Sequence, residues 1–240
     1  MPLYTCLHRS TSGGCCRWIP LVSNVLAFLS ISLCLGLAAK YYPYSINWPS
    51  DPPISGLAES EDGFKCFAAG FTLLCTFLAI ALLLRAIRVG VTLTGAGFHC
   101  LNISWVVLSL IALPFILVMA FNRDDGPNGT LHFIAAGIGM GLICLAGGVH
   151  AVLCLIAWRH IDPSLPVALR IGTYVLQLVL LIIGAVSFGV WFMSDKYTST
   201  LEWVGFIFVM AAYASYTIFY VAKPAQVATS SKEGREELLP

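Results

Sequence analysis

Long apolar runs alternate with polar connections along the whole chain. An α-helix needs about 20 apolar residues to cross roughly 30 Å of hydrocarbon. Six runs meet this requirement, with the second the shortest and the fourth the longest. They predict an all-α fold, a bundle of six transmembrane helices at 19–39, 67–84, 101–121, 131–158, 171–193 and 204–222.

These spans divide the chain into three parts. Residues 1–18 form an N-terminal segment, residues 19–222 form the membrane domain, and residues 223–240 form a hydrophilic tail that we expect to be disordered. The first apolar run is longer than the core of a cleavable signal peptide. It is therefore predicted to stay in the membrane as a signal anchor.

Composition agrees with a chain whose surface is covered by lipid. Only 10% of the 240 residues are charged and 58% are hydrophobic, with mean hydropathy +0.85. A soluble domain carries about 25% charged residues to keep its surface wet. The net charge of +1 gives no reason to expect a nucleic-acid partner, so the expected partners are membrane lipids, a second copy of the chain, or other membrane proteins.

The distribution of basic residues predicts the orientation of the bundle. Lys and Arg concentrate in the connections that face the cytosol. Nine of them lie on the side of the two termini and four on the other side, whereas eight of the twelve acidic residues lie on that second side. Both termini are therefore expected in the cytosol.

Two candidate modification sites lie outside the spans. Asn128-Gly129-Thr130 is a glycosylation sequon in the third connection. Because that connection is short, Asn128 is either glycosylated or held too close to the membrane for the transferase. The Cys15-Cys16 pair lies just before the first span, where cysteines are either S-palmitoylated or plain thiols.

Polar residues within the predicted spans are few. These six spans contain no Asp, Glu, Lys or Arg in their interiors, and His150 is their one titratable candidate. His150, Gln177, Tyr213 and Tyr216 form a possible polar core, made either of interhelical hydrogen bonds or of the lining of a substrate cavity. With no intramembrane carboxylate to pair with His150, we expect a protein without enzymatic activity or cofactor.

Glycines in the fourth span predict close helix packing. Gly137 and Gly141 lie one turn apart on one helix face, a spacing that lets two helix backbones approach. The first interpretation is packing within the bundle. Two alternatives remain open, a seam between two copies of the chain and a contact with a sterol or another lipid.

Several short motifs occur in a recognisable order. They are Trp18-Ile19-Pro20-Leu21, Pro53-Ile54-Ser55, Cys66-Phe67, His132 followed by Ala136 and Gly141, and Glu202-Trp203. Over roughly residues 18–222 this order resembles the damage-regulated autophagy modulator (DRAM) family and its Frag and Sfk relatives. One departure is Gly56, where many of those relatives have an acidic residue.

The resemblance implies a six-span protein without catalytic residues that modulates autophagy and the homeostasis of the lysosomal, endosomal or plasma membrane, by binding a lipid or a membrane partner. The alternatives are a transporter of small solutes or lipids, and a lipid-remodelling factor of the secretory pathway.

Overall fold

The computed structural model describes residues 18–44, 46, 52–93, 95–123, 129–162, 165–193 and 199–221. Within these ranges the fold is all-α, and six helices are long and apolar enough to cross a membrane. The chain is thus a multi-pass membrane protein with the predicted architecture. Cys15, Cys16, Asn128 and the tail at 223–240 lie outside the described residues.

The helices follow one another up and down through the bundle. Their bounds are α1 Ile19–Lys40, α2 Glu61–Thr92, α3 Ala96–Phe121, α4 Gly129–Ile156, α5 Val167–Met193, α6 Ser199–Ala214 and α7 Tyr216–Val221. The sixth span runs through α6 into α7. We call the end where α1 begins the first end, and the end where α1 finishes the second end. A short 3-10 helix, Ser55–Ala58, lies at the second end.

Helix α2 is much longer than the span predicted at 67–84. It begins at the second end, where the Ser60 side chain accepts a hydrogen bond from the Gly63 backbone N–H at 3.0 Å. Glu61 and Asp62 in its first turn suit the positive end of the helix dipole. With 32 residues the helix measures about 48 Å. The sequence-based span stopped at Arg85 because of its charge, whereas in the structure the helix continues past it.

Neighbouring helices pack closely where one of them carries a glycine. A Cβ atom placed on Gly70 of α2 would stand 2.6 Å from the Cβ of Cys34 in α1. On the outer surface the helices present large apolar side chains, such as Leu33 and Val186, which are 66% and 59% exposed. This distribution is the one expected of a bundle surrounded by lipid.

Candidate functional site

A cavity of about 970 Å³ lies between α4 and α5. Each helix lines it with one face: Ile134, Gly137, Ile138, Gly141, Leu145, Gly148 and Val152 from α4, and Leu178, Ile182, Ala185, Gly189 and Phe192 from α5. Many of these residues are partly exposed on the outer surface, Leu145 by 55% and Ile182 by 54%. The cavity is therefore a groove that opens sideways from the bundle.

Glycines give the groove its depth. At Gly141, Gly148 and Gly189, no described atom of another element comes within 4 Å of the position that a Cβ would occupy. From Ile134 to Val152 the lining of α4 extends about 27 Å at the rise of an α-helix. That length approaches the roughly 30 Å thickness of the hydrocarbon layer.

The groove ends inside the bundle in a small polar chamber. Its lining there includes Ser55, His132 and Glu202, beside the aromatic rings of Phe67 and Phe206. The side chain of Glu202 is buried, and its Oε1 accepts a hydrogen bond from the Ser55 backbone N–H at 3.3 Å. The apolar groove thus leads to one buried carboxyl group at the second end.

Two hydrogen bonds fix the wall of this chamber. Besides the bond from Ser55 to Glu202, the indole N–H of Trp203 donates to the Pro52 carbonyl at 2.9 Å. The bonded partners are about 150 residues apart in the sequence. Together they tie Pro52 and the first residue of the 3-10 helix to the start of α6, so the position of Glu202 does not depend on its own helix alone.

His132 faces the chamber from the start of α4. Its Nδ1 lies 2.9 Å from the Met119 carbonyl and 2.6 Å from the Asn122 carbonyl. Because carbonyl oxygens only accept hydrogen bonds, Nδ1 carries a proton and donates it to these carbonyls. His132 is 3% exposed, so α3 and the imidazole are held together at the end of the groove.

Four of the five short motifs named in the sequence contribute residues to this cavity, and Trp18-Ile19-Pro20-Leu21 does not. Its lining includes Ile54, Ser55, Phe67, His132, Ala136, Gly141 and Glu202. These residues come from the segment before α2 and from α2, α4 and α6, and they are widely separated along the chain. These four motifs therefore share one chamber and the groove that leads to it in the structure.

A second polar cluster lies towards the first end, around Arg85. The guanidinium is fully buried and makes a two-point ion pair with Asp162, with Nη1 donating to Oδ1 at 3.0 Å and Nη2 to Oδ2 at 2.7 Å. Asp162 belongs to the α4–α5 connection and has a φ of +50°, uncommon for a residue with a side chain. This backbone turn brings its carboxylate to the bundle interior.

Further contacts complete the ion pair. The Nε–H of Arg85 donates to Nε2 of His150 at 3.4 Å, and the guanidinium lies 4.7 Å from the ring centre of Phe219. Tyr174 donates its hydroxyl to Asp162 Oδ2 at 3.0 Å. The cluster therefore joins α2, α4, α5 and α7 through one buried charge pair.

The charge state of Asp162 follows from these contacts. Burial raises the pKa of a carboxyl group, but the adjacent positive charge of Arg85 and the hydrogen bonds outweigh it, and the pKa of Asp162 is lowered from its usual value. Arg88 adds a second positive charge, with Nε 3.4 Å from Oδ1. The carboxylate is ionised at neutral pH, and the cluster holds the helices together through a buried ion pair.

The structure corrects the expectation that no charged residue lies within the bundle beside His150. Arg85 was assigned to a connection, yet it lies in α2 in contact with His150. His150 is wholly buried between the rings of Trp105 and Tyr216, whose centres lie 4.7 Å and 4.8 Å from its own. Its environment is that of a packed hydrogen-bond acceptor for Arg85.

Gln177 and Tyr213 bond to backbone groups of neighbouring helices. Gln177 Nε2 donates to the Ala212 carbonyl at 3.3 Å, and the Tyr213 hydroxyl donates to the Ile143 carbonyl at 2.7 Å. Both side chains are buried. They link α5 to α6 and α6 to α4.

The close helix approach predicted at Gly137 and Gly141 occurs at other glycines. Gly141 lines the open groove, and a Cβ on Gly137 would meet only the ring of Phe192, at 3.1 Å. A Cβ on Gly139 would lie 3.2 Å from the Ile116 backbone nitrogen, and one on Gly147 would lie 2.8 Å from Leu181. Gly139 and Gly147 therefore lie at close contacts within the bundle, while Gly137 and Gly141 line the groove.

Sequence reasoning missed Arg85, Asp162 and Glu202 as interior groups. One signal was present: Asp162 is the one acidic residue between the fourth and fifth predicted spans, in a connection that also contains Arg159 and Arg170. The sequence matches no protein-family model, and it matches no curated protein and no solved structure.

Proposed function

We propose that the chain is a lipid-binding membrane protein that holds one amphiphilic molecule in the groove between α4 and α5. The observation that carries this proposal is the shape and lining of the cavity. An apolar groove open to the surrounding lipid narrows into a buried chamber with Ser55, His132 and Glu202. Small-molecule sites combine an apolar lining with a few convergent polar groups in this way.

The dimensions support a lipid as the occupant. A volume of about 970 Å³ is at the upper end of the range of small-molecule pockets. The groove opens towards the membrane, so its ligand would enter sideways from the bilayer with its apolar part already desolvated. The glycines at 141, 148 and 189 leave room where a side chain would fill the recess.

Binding explains the polar residues better than transport or catalysis does. Gln177 and Tyr213, which a transport path would use, donate to backbone carbonyls of adjacent helices. Arg85 and Asp162 satisfy each other's charge in a cluster near the first end. We therefore propose a protein that acts by occupancy of its groove, without chemistry of its own.

The cellular setting of this proposal comes from the sequence. The excess of Lys and Arg beside the termini supports cytosolic termini, and with that orientation the polar chamber would face the lumen or the outside of the cell. The resemblance to DRAM-type proteins supports a role in autophagy and in the homeostasis of lysosomal, endosomal or plasma membranes. Protease protection of tags at both termini tests the orientation, and a lumenal tag would contradict it.

A thermal-shift experiment tests lipid binding. Delipidated protein is heated with and without added membrane lipid, because a ligand that binds only the folded state stabilises it, by about 2.7 kcal/mol at a hundredfold excess over Kd. Gly141→Leu fills the groove, while Gly36→Leu changes an exposed glycine that does not line it and also has no described neighbour within 4 Å. Lipid is expected to stabilise the wild type and Gly36→Leu more than Gly141→Leu. Equal stabilisation of all three contradicts the proposal.

A further inference from the structure

We propose that the lipid in the groove has a hydrocarbon chain longer than one leaflet of the membrane, as in a polyisoprenoid lipid or a lipid with a very long acyl chain. This inference rests on the proposed function and adds the chemical class of the ligand. The evidence is the length of the apolar lining, its position along α4 and α5, and the location of its polar residues.

The lining of α4 forms one continuous stripe. Ile134, Gly141 and Gly148 follow one another at intervals of seven residues, and Val152 comes four residues later. Seven residues are close to two helical turns, so these positions share one face of the helix. The stripe extends about 27 Å, whereas one leaflet provides about half of the roughly 30 Å of hydrocarbon. A lipid confined to one leaflet would therefore occupy little more than half of it.

The stripe is centred on its helix. Ile134 lies five residues after the first residue of α4, Gly129, and Val152 lies four residues before the last, Ile156. The middle of the stripe therefore coincides with the middle of a helix that is long and apolar enough to cross the membrane. The groove continues on both sides of the bilayer midplane.

Helix α5 follows the stripe as the second wall. A Cβ on Gly137 would lie 3.1 Å from the Phe192 ring, and one on Gly147 would lie 2.8 Å from Leu181. The later residue of α4 thus meets the earlier residue of α5, so the two helices run antiparallel side by side. Leu181 and Phe192, which both line the cavity, are separated by about 17 Å along α5. Both walls therefore persist over more than one leaflet.

The polar residues give the direction of the lipid. Ser55, His132 and Glu202 of the lining all lie at the second end, and towards the first end the lining continues with apolar residues such as Leu145 and Val152. A polar head therefore fits at the second end, and its hydrocarbon chain has the length of the stripe before it. A chain that leaves the bilayer is already desolvated, so each added methylene group contributes through van der Waals contact with the walls.

The experiment measures binding against chain length. Lipids with one common head and saturated chains of increasing length compete with a long-chain lipid that carries a diazirine, and its photochemical crosslinks to α4 and α5 of the full-length protein are mapped by mass spectrometry. Competition is expected to strengthen about tenfold or more between a chain of about 15 Å and one of about 27 Å, and to level off beyond that length. A polyisoprenoid of the full length, with the same head, shows which of the two kinds of chain binds better.

Gly148→Leu shortens the groove from the first end. Gly148 lies about 21 Å from Ile134 along α4, and no described atom of another element comes within 4 Å of its Cβ position, so a leucine fills the recess without displacing a neighbour. Short lipids are expected to compete as they do with the wild type, and competition is expected to level off at about 21 Å instead of about 27 Å. Gly36→Leu, at an exposed glycine outside the lining, is expected to keep the wild-type curve.

The possible failures are distinct. Levelling off at about 15 Å in the wild type overturns the long chain and leaves lipid binding intact, with a sterol-sized lipid or two lipids end to end in the groove. The wild-type curve alone decides this point, whether or not Gly148→Leu folds. A rise that continues with length equally in all three proteins also overturns it, because partition into detergent, and not the groove, would then set the affinity. Absence of competition and of crosslinks at every length overturns lipid binding itself.

Discussion

Arg85 and Asp162 are 77 residues apart in the sequence and form a two-point ion pair with N–O distances of 3.0 Å and 2.7 Å. Both side chains are essentially inaccessible, at 0% and 1% exposure. Removing one partner of a buried pair leaves the other charge uncompensated, which costs far more than the pair itself contributes. The pair therefore fixes how the α4–α5 connection joins the bundle.

The first prediction is a strong energetic coupling between these two residues. Asp162→Asn and Arg85→Gln are each expected to lower the free energy of unfolding by about 3–5 kcal/mol, because each leaves a buried partner unsatisfied. The double variant is expected to cost clearly less than the sum of the two. Denaturation of the protein in mixed micelles, followed by helical signal, measures all four members of the cycle.

Lys65→Gln is the control for this cycle. Lys65 pairs with Glu61 at 2.7 Å, but both side chains are exposed, so little change in stability is expected. Additive losses for Arg85→Gln and Asp162→Asn would show that the buried contact carries no coupling.

The second prediction concerns pH. The folded-state pKa of Asp162 is lowered, so its contribution to stability is present above the usual carboxyl pKa and is lost as the pH falls through the lowered value. The difference in melting temperature between wild type and Asp162→Asn is therefore expected to stay constant from about pH 7 to about pH 5, and to shrink only below about pH 4. Shrinkage already between about pH 7 and about pH 5 would mean that the pKa is raised instead.

The third prediction separates the packing of His150 from its hydrogen bond. His150→Leu preserves much of the volume but leaves the Arg85 Nε–H without its acceptor, so a loss of about 1–3 kcal/mol is expected. His150→Gln keeps an acceptor and should lose less. His160→Leu, at an exposed histidine near the same end, is the control. Equal losses for the two His150 variants would reduce its role to packing.

The fourth prediction concerns the contact between α5 and α6. A Cβ on Gly184 would lie 2.7 Å from Val209 Cγ2 and 3.2 Å from the Gly205 carbonyl oxygen. Gly184→Ile is therefore expected to overpack this contact and to cost about 1–3 kcal/mol in the free energy of unfolding. Gly36→Ile, on the exposed face of α1, should change it little. Equal melting temperatures of the two variants would contradict this prediction, because α5 and α6 would then accommodate the added side chain without loss of stability.

The number and order of the spans could be predicted from the sequence because the apolar runs are long and polar residues separate them. The end of α2 could not be predicted, because a charged residue such as Arg85 in a local pattern indicates the end of a span and exposure to water. Its burial depends on Asp162, which reaches it only through a turn at positive φ. Local patterns carry no information about such distant pairing.

The groove was only partly foreseeable. The spacing of Gly137 and Gly141 indicated a contact surface, and a lipid was one of the alternatives considered. Which glycines face a helix and which face the groove depends on the rotation of α4 in the bundle, because Gly139 and Gly141 differ by about 200° around the helix. Glu202 was visible as a motif residue, but its partner Ser55 lies 147 residues away.

Native mass spectrometry tests the central claim, that one lipid occupies the groove, most directly. Full-length wild type, Gly36→Leu and Gly141→Leu are released from gentle detergent, and the adducts that remain on each chain are counted and identified. The account predicts one retained lipid on the wild type and on Gly36→Leu, and its loss from Gly141→Leu with the fold intact. Identical adducts on all three proteins, or no retained lipid on any of them, would contradict it.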